Sequence, residues 1–205
     1  WEWDGTTWTQ MNPAASPPAR FNHAMAYDSA RGVMVMTGGF DTSRFSDTWE
    51  YNGLTWTQRS GTSYAARSSH AMAFDPVRNK MVIFGGFNGA RLSDTREFDA
   101  ASGNWANPGA TGPTARQYTN MDFDPLRGGI VLFGGQIGPA ATDREQDTWL
   151  YNGAWTLLVS GGPNKRDQHT VTYDAAVHKL VVFGGYEGNG IVDGDTWVTS
   201  LCPCY

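Results

Sequence analysis

The sequence has few lysines and cysteines and no long apolar run. Only three of its 205 residues are lysine, and its two cysteines, Cys202 and Cys204, form a Cys-Pro-Cys tail. Structural zinc needs four ligands and no matching Cys/His cluster accompanies this tail, so we expect a solvent-facing segment. A membrane-spanning helix needs about 20 apolar residues. No stretch approaches that length, so we expect no membrane insertion.

Positive charge is also sparse. The formal net charge is −5, and the 12 arginines are scattered along the chain rather than clustered. This distribution argues against nucleic acid and against a membrane surface as partners. The N-terminal segment WEWDGTTWTQ lacks the basic and apolar regions of a signal peptide. Nine tryptophans favour an extracellular or periplasmic protein of the bacterial secreted type, without fixing the compartment.

No window shows the helical period of apolar residues. Instead, one pattern occurs four times: an apolar run, a glycine pair, a variable segment and an aspartate followed by threonine. The first copy is MVMTGGFDTSRFSDTWEYNG, residues 34–53. The glycine pairs fall 47, 49 and 50 residues apart, at Gly38-Gly39, Gly85-Gly86, Gly134-Gly135 and Gly184-Gly185. The chain is therefore built from repeats.

Each repeat predicts four short strands, which we call a to d. A segment such as ARFNHAMAYD leads into strand a, and the apolar run forms strand b. Two aromatic-rich runs, split by a glycine-containing turn, form strands c and d. Valine, isoleucine, threonine and aromatic residues dominate these runs, as is typical of strands. Four-stranded units at this period predict an all-β fold, a β-propeller built from antiparallel blades.

The repeats resemble the kelch repeat. The residues that carry the resemblance are the glycine pair that ends strand b, an aromatic residue in strand c and a tryptophan in strand d. These aromatic residues are Tyr51, Phe98 and Tyr151 in strand c, and Trp56, Trp105 and Trp155 in strand d. The resemblance covers nearly the whole chain. It implies a kelch-type β-propeller, a family whose members commonly bind partners on one face.

We expect a single domain over residues 1–205, with units at about 1–10, 20–58, 67–107, 116–158 and 166–205. The first unit is partial, because Trp1 to Gly5 matches Trp49 to Gly53 and therefore starts inside strand c. The last unit lacks strand d, so one strand is surplus if the two ends complete each other. The pattern predicts either a fragment of a larger propeller or a chain that self-associates to complete its blades.

Three repeated features have both structural and chemical interpretations. A glycine pair could cradle a phosphate, but no helix follows it, so a tight bend is favoured. His23, His70 and His169 could gather around a metal, but their shared position favours the same local hydrogen bond in each blade. Each strand a ends in an aspartate that is expected to hold a turn. These aspartates are Asp28, Asp75, Asp124 and Asp174.

Antiparallel order places the d-to-a connections and the b-to-c loops on one face of the propeller, which we call the loop face. We predict that a protein or glycan ligand binds there, because aromatic and arginine side chains suit sugars and acidic peptides. The predicted binding residues are Arg20, Arg67, Arg116, Arg166, Phe40, Asp41, Arg44, Phe45, Phe87, Asn88, Arg91, Tyr186 and Glu187. Alternatively, the first four arginines pair with acidic residues at the blade edges and only frame this face.

The motifs favour a binding module over an enzyme. Neither cysteine lies in a blade suited to the copper site of galactose oxidase-like propellers, and no acid–base pair stands out. The alternative is an enzyme, a carbohydrate-active isomerase or hydrolase that uses the loop face. A calcium site is a smaller alternative to a solvated loop, with the candidate ligands Glu187, Asn189, Asp193 and Asp195. We expect no catalytic residues, no metal and no cofactor.

Overall fold

The computed structural model describes residues 1–59 and 64–199, and its regular structure in these ranges is entirely β. The prediction of an all-β fold is confirmed. Within the same ranges, no helix is long and apolar enough to cross a membrane. Cys202 and Cys204, for which we predicted a solvent-facing tail, lie outside the described residues.

The strands form one hairpin and four antiparallel sheets, which we call blades 1 to 4. The hairpin consists of β1 (Glu2–Trp3) and β2 (Trp8–Thr9). Blade 1 consists of β3 (Ala24–Asp28), β4 (Val33–Thr37), β5 (Thr48–Tyr51) and β6 (Trp56–Arg59). Blade 2 consists of β7 (Ala71–Asp75), β8 (Lys80–Phe84), β9 (Thr95–Asp99) and β10 (Asn104–Ala106).

Blade 3 consists of β11 (Asn120–Asp124), β12 (Gly129–Gln136), β13 (Arg144–Tyr151) and β14 (Trp155–Val159). Blade 4 consists of β15 (Thr170–Asp174), β16 (Lys179–Gly188) and β17 (Ile191–Val198). Strands that follow each other in sequence pair with each other in every blade. The blades therefore contain the predicted strands a to d in order, and blade 4 contains a to c in the described part of the chain.

The blades lie side by side in a β-propeller-like arrangement. Their innermost strands, β3, β7, β11 and β15, contact one another in chain order. Just before each strand a, a backbone hydrogen bond of the same kind joins neighbouring blades. These bonds run from Ser69 N to Asn22 O at 2.8 Å, from Tyr118 N to Ser69 O at 2.9 Å and from Gln168 N to Tyr118 O at 3.0 Å. The same contact between neighbouring blades therefore occurs three times.

Residues of all four innermost strands line one pocket of about 440 Å³, including Met25, Met72, Asp122 and Val171. The contact that would join blade 4 to blade 1 is not found among residues 1–59 and 64–199. There, β15 makes no contact with β3 comparable to those between the other neighbours. The fold thus resembles a four-bladed propeller in which one of the four contacts between blades is missing.

The apolar core lies between neighbouring blades. One cluster joins Phe84 of blade 2 to Leu132 of blade 3, and another joins Val35 of blade 1 to Ile83 of blade 2. A third cluster joins blades 3 and 4 in the same way. Because strand b is covered on both faces in the middle of the molecule, its sequence is almost continuously apolar.

The tryptophans of strand d add a hydrogen bond across two of these interfaces. Trp105 Nε1 of blade 2 donates to Thr48 Oγ1 of blade 1 at 2.8 Å. Trp155 Nε1 of blade 3 donates to Thr95 Oγ1 of blade 2, also at 2.8 Å. Each acceptor is the threonine of an Asp-Thr motif. The repeated tryptophan and the repeated threonine are therefore two halves of one contact between blades.

The glycine pairs form bends at points where backbones approach closely, as predicted. Both glycines of every pair have φ between 60° and 115°. A Cβ on Gly38 would lie 2.7 Å from the Arg67 carbonyl oxygen, and one on Gly86 would lie 2.9 Å from the His70 Cβ. Only glycine fits such positions. In blades 1 and 2 strand b ends before the pair, whereas β12 and β16 continue through it with a register shift.

The repeated histidines provide packing, and the expectation of a shared local hydrogen bond is wrong for His70. Its ring is buried, and neither nitrogen has a hydrogen-bond partner among the described residues, because the ring faces the bend at Gly38. Burial, helped by the charge of Arg67, lowers the pKa of His70 to about 3. His169 packs edge-on against Phe133, and burial lowers its pKa to about 4. Both rings are therefore neutral at neutral pH.

The aspartates that end the a strands hold the a-to-b turns, as predicted. In blade 1, Asp28 Oδ1 accepts hydrogen bonds from the backbone N–H groups of Ala30 and Arg31, both at 3.1 Å. The same pair of bonds forms at Asp75, Asp124 and Asp174. These turns lie at the strand ends opposite the loop face, so they do not contribute to a site there.

Candidate functional site

The four arginines that precede the a strands form ion pairs inside their own blades. Each guanidinium donates through both Nη atoms to the two oxygens of the aspartate in the Asp-Thr motif. The pairs are Arg20–Asp47, Arg67–Asp94, Arg116–Asp147 and Arg166–Asp195, with shortest N–O distances of 2.5 to 2.7 Å. The Nη1 atoms also donate to the carbonyl of the first glycine of each pair at 2.9 to 3.0 Å. Each arginine therefore ties the d-to-a connection to strand c and to the glycine bend.

Three of the acidic partners, Asp47, Asp94 and Asp195, have lowered pKa values. Burial opposes the ionisation of Asp47 and Asp94, but the hydrogen bonds from Arg20 and Arg67 outweigh it, so the pKa of each carboxyl is lowered. Hydrogen bonds from Arg166 and Trp197 lower the pKa of Asp195 to about 2. Charge-assisted, bidentate pairs of this kind are the stronger class of hydrogen bond in proteins.

This geometry favours the alternative in which the four arginines frame the loop face. Arg67, Arg116 and Arg166 are 0% exposed, and their donors are directed at carboxylates and carbonyls. A ligand could reach these guanidinium groups only if the ion pairs opened. Direct ligand binding by the four arginines stays a prediction, and their visible contacts are those of a structural element.

Each b-to-c loop is joined to the neighbouring d-to-a connection by a short bridge. The residue after each glycine pair exchanges two backbone hydrogen bonds with the residue after each of the four arginines, at 2.8 to 3.0 Å. The pairs are Phe21–Phe40, Ser68–Phe87, Gln117–Gln136 and Asp167–Tyr186. The connections and the loops therefore share one face, as predicted.

Arginines within the first two loops reach toward the following blade. The guanidinium carbon of Arg44 lies 4.8 Å from the ring centroid of Phe87 in blade 2. It also lies 5.3 Å from the ring centroid of Phe40 in its own blade. In the corresponding position of blade 2, Arg91 Nη2 donates to the Gly138 carbonyl of blade 3 at 2.8 Å. The two arginines thus lie over the boundaries between blades.

Arg144 of the third loop also reaches the following blade, but it is paired. Its guanidinium carbon lies 4.6 Å from the ring centroid of Tyr186, and its Nε lies 2.8 Å from Asp167 Oδ2. Both side chains of this ion pair are buried. Burial raises the pKa of Asp167 although the charge of Arg144 opposes the shift. The third loop therefore contributes a neutralised arginine.

Arg44 and Arg91 differ from the other arginines in the described part of the chain. The other ten of the 12 arginines have a side-chain nitrogen within 4.0 Å of a carboxylate oxygen. Arg44 and Arg91 have no such partner in residues 1–59 and 64–199, and they occupy the same position of neighbouring repeats. Together with Phe21, Phe40 and Phe87 they form what we call the arginine–aromatic sector.

Phe21 belongs to this sector although the sequence did not single it out. Its side chain is 57% exposed and packs edge-on against Phe40, with ring centroids 5.5 Å apart. A signal was present, because the residue after the arginine is aromatic in ARFNH and polar in the other three repeats. An exposed aromatic residue at a position that is elsewhere polar would have identified it.

The remaining residues predicted in the first two loops divide into exposed and supporting groups. Asp41 and Asn88 directly follow the ring residues of their loops and are exposed, so they border the arginine–aromatic sector. Phe45 lies beneath Arg20, with 3.9 Å between the guanidinium carbon and the ring centroid. Phe45 therefore supports an ion pair, and ligand binding by Phe45 stays a prediction.

Blade 4 presents carboxylates instead. Besides its bond to Asp195, Arg166 lies 3.4 Å from Asp193 Oδ2 through Nη1 and 3.9 Å from Glu187 Oε1 through Nη2. Burial raises the pKa of Asp193, and the nearby charge of Glu187 adds to the shift while Arg166 opposes it. Oxygen atoms considered for calcium thus surround a guanidinium group. No group of three or more His, Cys, Asp or Glu in the described ranges is arranged to hold a metal ion.

A comparison with models of known protein families finds no match for this chain, and a comparison with curated proteins also finds none. The fold alone defines the class, a β-propeller-like protein with blades that pack face to face. Propellers include both binding modules and enzymes, so a function has to be argued from the site. The kelch resemblance stays a prediction.

Proposed function

We propose that this chain is a kelch-type propeller module that binds a protein or glycan ligand through a carboxylate, at the arginine–aromatic sector of the loop face. The observation that supports this is the contrast among the arginines. Ten are paired with carboxylates, whereas Arg44 and Arg91 have no carboxylate partner in the described ranges. A planar guanidinium is the side chain best suited to a carboxylate.

The surroundings of Arg44 suit it to this role. Phe40 and Phe87 lie against the guanidinium, so it is partly shielded from water while its edge still carries N–H donors. The Nε atoms of Arg44 and Arg91 are buried and have no hydrogen-bond partner in the described structure. A charge-assisted hydrogen bond from the accessible edge of a guanidinium that is partly shielded in this way is stronger than one made in bulk water. Phe21 adds an exposed ring on which a sugar or an apolar side chain can stack.

Two probe sets test the proposal. Acidic peptides are compared with their amidated counterparts, and glycans that carry uronic or sialic acid are compared with neutral glycans of the same length. We expect the carboxylated members of one set to bind and the neutral members not to bind. Binding should weaken as salt is added, because an exposed charge contact is screened.

The variant Arg44→Gln/Arg91→Gln should lose this binding and lower its thermal midpoint only slightly, because the bond from Arg91 to the Gly138 carbonyl is also removed. Each lost charge-assisted hydrogen bond is worth about 1.5–3 kcal/mol, which is roughly tenfold or more in affinity. Lys80→Gln is the matched control, because it removes one positive charge at the start of β8, on the opposite side of the blade. Lys80 makes a partly exposed ion pair with Asp99 at 3.5 Å. Carboxylated probes that bind the double variant as tightly as the native chain would show that the sector is not the site.

A further inference from the structure

The chain builds one kind of interface between blades three times. We call the side of a blade that meets the following blade its downstream side, and the side that meets the preceding blade its upstream side. Between blades 2 and 3, Ala71, Val82 and Phe84 of the downstream side meet Leu132 and Trp155 of the upstream side. Among residues 1–59 and 64–199, each half of this interface also occurs once without a partner.

The upstream side of blade 1 is one unpaired half. Its residues Met25, Tyr27 and Trp56 occupy the repeat positions of buried residues in blade 2, yet Met25 is 42% and Tyr27 55% exposed. They line a pocket of about 910 Å³ that extends to the N-terminal hairpin. In blade 2, the corresponding surface is closed by the downstream side of blade 1.

The downstream side of blade 4 is the other unpaired half. Val181 and Phe183 occupy the repeat positions that are fully buried in blade 2, and Phe183 is 53% exposed. Thr170 and Thr172 take the places of small residues in strand a and are also exposed. The side of blade 4 that would meet a following blade is therefore apolar along strand b and open to solvent.

The hydrogen bond of the interface also has an unused donor on blade 1 and an unused acceptor on blade 4 within the described ranges. In two interfaces the strand d tryptophan donates to the threonine of the preceding Asp-Thr motif. Trp56 Nε1 has no acceptor within the described ranges, and Thr196, the threonine of blade 4, is exposed and has no tryptophan donor there. A contact between blade 4 and blade 1 would place these two side chains in the same relation.

β2 has the position of a missing fourth strand. Trp8 precedes Arg20 by 12 residues, and Trp56 precedes Arg67 by 11, so β2 matches strand d of a blade that precedes blade 1. Blade 4 contains strands a to c in the described part of the chain. The hairpin is held weakly, because β1 and β2 pair over two residues each and the rings of Trp1, Trp3 and Trp8 are exposed.

We infer that a second copy of this chain supplies the missing neighbour. The downstream side of blade 4 in one copy packs on the upstream side of blade 1 in the other, and β2 of that other copy adds to β17 as a fourth strand. A second copy carries both halves of the missing interface, and within residues 1–59 and 64–199 of one chain the two sides do not meet, since β15 makes no extensive contact with β3. Two copies related by a two-fold axis make this contact twice, so that both unpaired halves of each copy are covered.

The exchange requires β1 to leave its place beside blade 1. In the described structure one side-chain hydrogen bond joins the two, from Tyr51 Oη to Glu2 Oε1 at 2.8 Å, at an exposed position. Strand addition to β17 replaces the two-residue pairing of the hairpin, and the contact buries the apolar residues of blade 1 and blade 4. The exchange therefore replaces a small contact with a larger one.

Light scattering after size-exclusion chromatography of the full chain tests the inference. We expect a mass of twice the 22.4 kDa of one chain. Phe183→Lys should give a single chain, because the charge enters the contact. Leu126→Lys is the matched control, since Leu126 is 55% exposed in the a-to-b turn of blade 3, away from the contact. Trp8→Ala should raise the Kd of the pair by roughly tenfold or more, as expected for an anchoring aromatic residue.

Circular dichroism shows whether Phe183→Lys keeps its β-sheet content, and we expect it to do so because Phe183 lies on the surface of one chain. A native mass of 22.4 kDa at every concentration would overturn the inference. So would a Phe183→Lys variant that pairs like the native chain, or a mass that grows without limit, which would mean that the contact does not close.

Discussion

Replacing Arg67 by methionine should destabilise the protein strongly, although this arginine was first predicted to bind a ligand. Arg67 is 0% exposed and donates to both oxygens of Asp94, at 2.7 and 2.8 Å, and to the Gly85 carbonyl at 2.9 Å. In Arg67→Met the Asp94 carboxylate stays in place without this partner. Removing one member of a buried ion pair costs about 3–5 kcal/mol. Since Asp94 keeps Arg96 at 2.8 Å and is partly exposed, we expect the lower end of that range.

Denaturant unfolding followed by tryptophan fluorescence measures the effect. Arg44→Met is the matched control, because Arg44 has no carboxylate partner in the described ranges and should cost less than about 1 kcal/mol. The double variant Arg67→Met/Asp94→Leu should recover part of the loss, because no unpaired carboxylate remains inside, while the partly exposed Arg96 loses its partner. With the single variant Asp94→Leu these variants complete a double-mutant cycle, which tests the pair rather than the arginine alone.

An Arg67→Met variant that unfolds at the same denaturant concentration as Arg44→Met would refute this reasoning. If such a variant also lost binding to carboxylated probes, the original prediction of a ligand-binding Arg67 would regain support. A single variant therefore decides between two roles that the sequence left open.

Three further predictions follow from the packing between blades. The pKa of His70 is about 3 in the folded protein, and its ordinary value is 6.5. The free energy of unfolding should therefore be constant above pH 6.5 and fall by roughly 3 kcal/mol between pH 6.5 and pH 4, because the unfolded chain binds a proton there and the folded protein does not. His70→Phe should flatten this dependence in denaturant midpoints measured against pH. Gly86→Ala should lower the thermal midpoint more than Gly53→Ala, whose added Cβ meets nothing within 4 Å; equal effects would count against the close approach. Trp105→Phe should cost about 1 kcal/mol more than Trp56→Phe, because Trp105 donates a hydrogen bond across an interface.

The blades could be predicted from the sequence because the residues that form them recur from repeat to repeat. The glycine pairs and the aspartates of the turns occur in all four repeats, and the strand d tryptophans form the same contact in two interfaces. A period of about 50 residues also fixes which strands are neighbours, since consecutive strands of one unit pair in order. Pattern and structure therefore agree on strand order, on the bends and on the loop face.

The sequence could not predict which arginines are paired with carboxylates and which are not. Arg20 and Arg44 both lie between a small residue and a phenylalanine, and nothing local separates them. The distinction comes from Asp47, which lies 27 residues after Arg20 and reaches it only once strand c has returned beside strand b. His70 was misjudged for a related reason, because its environment is the bend of a neighbouring blade rather than its own strand.

These outcomes indicate where binding residues lie in a repeat protein of this kind. A residue type that fills one position in every blade, such as the arginine before strand a, meets the same surroundings each time and serves the architecture. A ligand that binds one sector of the loop face meets only the blades of that sector, so its contacts fall where the repeats differ. Phe21 and Phe40 are both aromatic only in blade 1, and the loop arginine is free of acids only at Arg44 and Arg91 in the described ranges. We therefore expect ligand-binding residues at the positions where the repeats differ from one another.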